Sequence, residues 1–165
     1  REKIVLAAEA ATLCPSNFSQ LTVSEYLRTQ PWMDQVKAFR EVYQERRDAL
    51  LAAMGQLFPR GTSWTVPTGG FYSWVTLPEG LDATAMLPRA VAALVAYVPG
   101  TGFFVDGQGR DCMRLSYCYP APERITEGVR RLAGVMEAEL DLVHTFGNTP
   151  VHLPPGPATP GPDLA

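Results

Sequence analysis

A lone arginine in a short apolar run is the residue of this chain best suited to chemistry: Arg114, in Asp111-Cys112-Met113-Arg114-Leu115-Ser116-Tyr117. The run reads as a β-strand. Its two-residue period sends Met113, Leu115 and Tyr117 to one face and Arg114 with Ser116 to the other. The charge therefore leaves the core and faces a cleft. A guanidinium is a planar fork whose N–H donors match a carboxylate with two parallel hydrogen bonds, a geometry that lysine does not reproduce. Holding the carboxylate of a small acid is the simplest task for such a residue. The competing reading is a structural ion pair with Glu79, Asp106 or Asp111, and the residues alone leave the two readings level.

The other notable residues have plainer roles. Gly69-Gly70 fits a hairpin turn before Phe71-Tyr72-Ser73-Trp74, and a turn without side chains also lets a ligand or a second body approach the backbone closely. Tyr72, Trp74, Phe103 and Phe104 are expected in core and interdomain packing rather than stacked on a ligand. The chain has two lysines, Lys3 and Lys37, both in amphipathic runs where a surface position is expected. Glu45-Arg46-Arg47-Asp48 mixes signs within a helical pattern, so it reads as a solvated face and not a phosphate patch. The three cysteines, at 14, 112 and 118, have no metal-ligand spacing and are expected as reduced thiols. Parity within one strand would put Cys112 and Cys118 on the face of Arg114, roughly 20 Å apart. His144 and His152 fall at or beyond the end of the last helix and read as solvated residues.

The elements that must position Arg114 follow from periodicity and punctuation. Residues 1–13 read as a helix stopped by Pro15, and Ser16 or Asn17 caps a second helix from Phe18 to Thr29. From Trp32, the spacing of Phe39, Tyr43, Leu50, Met54 and Leu57 predicts a long amphipathic helix ended by Pro59-Arg60-Gly61. Short strands are expected at Thr62–Val66, Phe71–Leu77, Tyr97–Val98 and Cys112–Cys118. Asp82 can cap a helix over 83–96, with Pro88 an obstacle inside it. A last helix carries Ile125, Val129, Leu132, Met136 and Leu140 on one face. The order is that of an α+β fold, with helices covering one face of a small sheet.

Composition bounds the function. With 46% apolar and 19% charged residues, the 165-residue chain is an ordinary globular sequence. A net charge of −3 and a pI near 5.4 argue against a nucleic-acid surface. No apolar run is long enough to span a membrane and the start lacks the layout of a signal peptide, so a cytoplasmic protein is expected. Six prolines and three glycines in residues 147–165 predict a disordered tail. Arg1 in place of an initiating Met suggests a piece of a longer protein.

Three motifs in order, Pro67-Thr68-Gly69-Gly70-Phe71-Tyr72-Ser73-Trp74, then Tyr97-Val98-Pro99-Gly100 with Phe103-Phe104, then Met113-Arg114-Leu115-Ser116-Tyr117, carry a family likeness. Over roughly residues 1 to 141 the sequence resembles the C-terminal part of class I/II, fold type I aminotransferases. The likeness is strongest to the 2-aminoadipate and aromatic branch and to the aminotransferase-like half of MocR-type transcription regulators.

The resemblance implies pyridoxal 5'-phosphate as cofactor of the whole protein, an L-amino acid and a 2-oxo acid as substrates, and a homodimer. It assigns the substrate's α-carboxylate to Arg114, and contacts to a neighbouring subunit's active site to Asn17, Phe18 and Ser19. It further implies that residues 1–35 are a helical remnant of a large domain, 36–142 the small C-terminal α+β domain, and 143–165 the tail. In that family a lysine in a Ser-x-Ser-Lys type segment binds the cofactor, and neither lysine of this chain lies in such a segment. The implied activity of this piece alone is therefore nil. The alternative implied function is a ligand-sensing domain of a MocR-type regulator, the one case in which nucleic acid would be a partner. Leu94 stands where relatives often carry glycine.

Overall fold

The computed structural model describes residues 1–146. The expected Pro-rich tail, with His152, lies outside the described residues. In order, the chain forms α1 (Glu2–Thr12), α2 (Asn17–Thr29), α3 (Trp32–Leu57), β1 (Ser63–Trp64), β2 (Tyr72–Thr76), α4 (Ala83–Ala92), β3 (Val98–Pro99), a 3-10 turn (Gly100–Phe103), β4 (Cys112–Ser116) and α5 (Pro122–Phe146). Contacts divide it into two units, residues 1–44 and the remainder from Glu45, with the division inside α3.

The first unit holds α1, α2 and the start of α3. Ser16 caps α2, its Oγ accepting the Ser19 N–H at 3.4 Å. Neither α1 nor α2 has a buried residue, and Ile4, Leu6, Leu13, Phe18 and Leu21 are exposed.

The second unit is built on an antiparallel four-stranded sheet of order β1-β2-β4-β3. Period-two alternation puts Val75 on the same face as Met113 and Leu115, and all three are buried. Against that face pack Leu50, Ala53 and Met54 of α3, Met86 and Ala90 of α4, and Ile125, Val129, Leu132 and Met136 of α5. The fold is thus α+β, with a small sheet covered by helices on one side. Its strands are shorter than the sequence suggests. β1 is two residues because Thr65 turns its own groups to β2 instead: its side chain accepts the Trp74 N–H at 2.9 Å and its carbonyl accepts the Ser73 hydroxyl at 2.8 Å. The last helix runs on to Phe146.

α4 shows how local chemistry overrides periodicity. Asp82 caps it as expected, with Oδ1 accepting from the Thr84 and Ala85 N–H groups at 2.8 and 3.1 Å. Pro88 is tolerated inside the helix. The helix nevertheless stops at Ala92, short of the expected Ala96. Val95 N–H returns to the Ala90 carbonyl and Leu94 N–H to Val91, each at 2.9 Å, which is the double-bonded helix terminator that needs a left-handed residue. Leu94 supplies it at φ +62° while its side chain is 80% exposed. A left-handed leucine costs roughly 1–2 kcal/mol, and glycine there would lose roughly 0.5–1 kcal/mol of unfolded-state freedom. Leu94→Gly is therefore expected to raise stability by about 0.5–1 kcal/mol, read as a higher urea midpoint at unchanged slope.

Candidate functional site

Arg114 sits in the middle of β4, paired across the ladder with Trp74 of β2 and with Val98 of β3. The register places Tyr72, Trp74, Thr76, Cys112, Arg114 and Ser116 on the sheet face opposite the helices. Parity thus sorts the strand as the sequence suggests. Met113, Leu115 and Tyr117 are buried, while Arg114 is half-buried and Ser116 exposed.

The guanidinium carbon lies 4.0 Å from the centroid of the Tyr72 ring and 4.9 Å from that of Phe103. Phe103 meets Trp74 edge-on at 5.3 Å, and Phe104 lies 6.3 Å from the same indole. This corrects the core part of the expectation for Tyr72, Phe103 and Phe104. All three are 40–48% exposed and lie outside the core, and Tyr72 and Phe103 lie against the cation. The reason is register: Tyr72 and Trp74 share the parity of Arg114, and the 3-10 turn after β3 brings Phe103 to the same place.

Arg114 has no carboxylate partner among the described residues. The ion pairs there are formed by other residues. Asp111 instead accepts from the Cys112 thiol and Asp106 from the Gln108 N–H. Nε of Arg114 is buried with no hydrogen-bond partner. A buried donor left unmade is costly, which sets Arg114 apart from the paired arginines of this chain. Beside it, Tyr72, Ala96, Tyr97, Val98, Arg114 and Ser116 line a pocket of about 150 Å³.

Supporting groups hold the face in place. The Tyr117 hydroxyl donates to the Gly70 carbonyl at 2.9 Å and fixes the turn before β2, where Gly70 adopts φ +82°. Burial pushes the Tyr117 hydroxyl's pKa up, which keeps it a donor. Arg46 donates to the Cys118 carbonyl, pinning the chain after β4 to α3. Sequence reading missed both, since a buried tyrosine and a helix-face arginine carry no signal of their distant backbone partners. The strand ends at Ser116, so Cys118 is not in the β4 ladder. Its sulfur lies 3.1 Å from the Ser116 hydroxyl oxygen. Burial pushes the Cys112 thiol above its ordinary pKa, so it is a neutral packing group and no nucleophile. Asn17, Phe18 and Ser19 open α2 in the first unit, with Phe18 80% exposed.

The described geometry is an unpaired guanidinium beside aromatic rings on the open face of a small sheet backed by helices, a chemistry suited to an anion. No family model matches the chain. The aromatic-amino-acid aminotransferase 1 of Thermococcus litoralis is 40% identical over 138 residues, which cover 84% of this chain and 33% of that protein. The multiple substrate aminotransferase of Thermococcus profundus superposes with a TM-score of 0.78 at 41% identity, covering 86% of this chain and 35% of that one. LysN, the alpha-aminoadipate aminotransferase of Thermus thermophilus, gives 0.75 at 37% identity, covering 86% and 36%; its structure holds N-(5'-phosphopyridoxyl)-L-leucine. An uncharacterized HTH-type transcriptional regulator of Bacillus subtilis, YisV, is 29% identical over 118 residues, 72% of this chain and 24% of that protein. The chain spans about a third of the length of these aminotransferases. It belongs to the fold type I, pyridoxal-phosphate-dependent aminotransferase family, of whose C-terminal portion it is the counterpart; its relatives include aromatic-amino-acid and 2-aminoadipate aminotransferases.

The described residues do not themselves fit that cofactor. Lys3 is exposed on α1, and Lys37 is exposed on α3, paired with Asp34 at 3.0 Å. Neither lies in the unit that carries Arg114. In that unit Asp82, the carboxylate at the start of α4, is engaged by its cap and by Arg110 at 3.3 Å. Among the described residues no helix is long and apolar enough to cross a membrane.

Proposed function

We propose that this chain is the substrate-carboxylate-binding C-terminal part of an aminotransferase that moves an amino group between an L-amino acid and a 2-oxo acid. The observation that carries the reading is Arg114: half-buried, unpaired, with a buried donor aimed at no protein acceptor. Its two terminal nitrogens are suited to pin a planar carboxylate shared by both substrates. Pinning fixes the substrate's orientation, and orientation supplies roughly 7–11 kcal/mol of barrier reduction in well-held systems. The cofactor supplies the electron sink when bound in the whole protein; this chain supplies the grip. The whole protein acts as a cytoplasmic homodimer. In support, Leu6, Leu13, Phe18 and Leu21 are exposed apolar residues of the kind a second body covers.

The chain by itself is inactive, because neither lysine is placed to join the cofactor. Incubated with pyridoxal phosphate and reduced with borohydride, it is expected to show only sparse, scattered labelling of Lys3 and Lys37 and no turnover. A stoichiometric adduct on one lysine, with transamination, would sink this reading.

The likeness to YisV favours a second reading, a ligand-sensing domain behind a DNA-binding head. Arg114 would bind the same carboxylate there as a signal. The coding sequence upstream of Arg1 separates the two: a winged-helix segment supports the regulator, and a cofactor-binding lysine without such a head supports the enzyme.

A further inference from the structure

We propose that Tyr72 and Phe103 are positioning residues that clamp the Arg114 guanidinium and so preset the direction from which a carboxylate is received. The proposal rests on the carboxylate-anchor reading above.

An unpaired arginine side chain has several soft torsions and carries much rotamer entropy. Binding that has to freeze those torsions loses affinity accordingly. Here the freezing is done in advance. Tyr72 comes from β2 and Phe103 from the turn after β3, the two strands that flank β4, so rings from two separate elements lie against the cation. Aromatic faces attract a guanidinium yet take none of its strong N–H donors fully, which leaves the N–H edge for an anion.

The Phe103 side is itself held firmly. A Cβ on Gly100, at the start of the turn, would come 2.5 Å from the Gly109 carbonyl and 2.7 Å from Cys112 Cβ, so the turn is pressed against the backbone leading into β4. The Trp74 contact then fixes the ring. Both clamp rings are nearly half exposed, at 43% and 48%, which is poor use of a large ring if hydrophobic burial were its purpose.

The test is NMR of the full chain with the Arg114 Nε–Hε resonance assigned, in the wild type and in Tyr72→Leu, Tyr72→Phe, Phe103→Leu and Arg114→Ala. The probe is 3-phenylpropanoate, which carries a carboxylate and no amino group. In the ligand-free wild type the Hε resonance is expected upfield, under the ring currents. Tyr72→Leu and Phe103→Leu should each move it downfield and weaken the probe's binding about five- to tenfold. Tyr72→Phe should keep both within about twofold, since the ring and not the hydroxyl acts.

If Arg114→Ala abolishes binding while the two leucine variants bind as the wild type does, the clamp is overturned and the anchor stands. If the probe binds nowhere near Arg114, the anchor is overturned. The ligand-free resonance then decides the clamp alone: a downfield move in both leucine variants upholds it, and an unmoved resonance in both defeats it.

Discussion

Arg114→Ala is expected to lower carboxylate affinity about a hundredfold and to leave the fold nearly as stable as before. Charge-assisted hydrogen bonds contribute about 1.5–3 kcal/mol each, so losing a bidentate pair is worth at least two powers of ten in binding. Arg114→Lys keeps the charge but loses the fork, and is expected to fall about tenfold for every amino-acid or 2-oxo-acid ligand alike. The stability arm gives the control. A structural ion pair broken from one side strands a buried carboxylate and costs about 3–5 kcal/mol. No such partner exists among the described residues, so the change should stay within about 1 kcal/mol, the worth of the ring contacts. Near-normal binding with a large loss of stability would reverse the assignment.

Leu132→Ala carries the largest expected effect on the fold. Leu132 is 1% exposed on α5, within the layer that joins α3, α4 and α5 to the sheet. Truncation removes buried methyl groups and leaves a cavity that the rest of the core only partly fills, at a cost of about 3 kcal/mol. Urea unfolding followed by tryptophan emission measures it. The matched control is Val105→Ala, on a fully exposed side chain, which should change stability by less than about 0.5 kcal/mol. Equal losses in the two variants would show that the described core does not hold the fold together.

Much of this architecture was legible in the sequence because period and punctuation are local signals. The alternation at 113–117 sorted core from cleft, the stripe from Ile125 to Met136 marked α5, and Asp82 marked the start of α4. Where reading failed, a partner far along the chain decided the outcome. β1 is short because Thr65 turns its side chain to β2, and α4 ends early because Leu94 accepts a left-handed backbone. The site was half legible. Arg114 could be found as a charge in an apolar strand, but its choice between ion pair and ligand depended on where Glu79, Asp106 and Asp111 go. Tyr72, Phe103 and Phe104 were open to a core placement because large rings usually favour burial. The β2–β4 register brings Tyr72 and Trp74 to the cation's face, and the turn after β3 brings Phe103.

The most direct measurement compares 3-phenylpropanoate with its neutral isostere, 3-phenylpropanamide, by titration into the wild-type chain. The two differ by a carboxylate and nothing of consequence in size or apolar surface. A carboxylate-gripping Arg114 requires saturable binding of the acid that shifts the Arg114 side-chain resonances, and at least tenfold weaker binding of the amide. Equal affinity for acid and amide, or acid binding that leaves Arg114 unperturbed, would contradict the account.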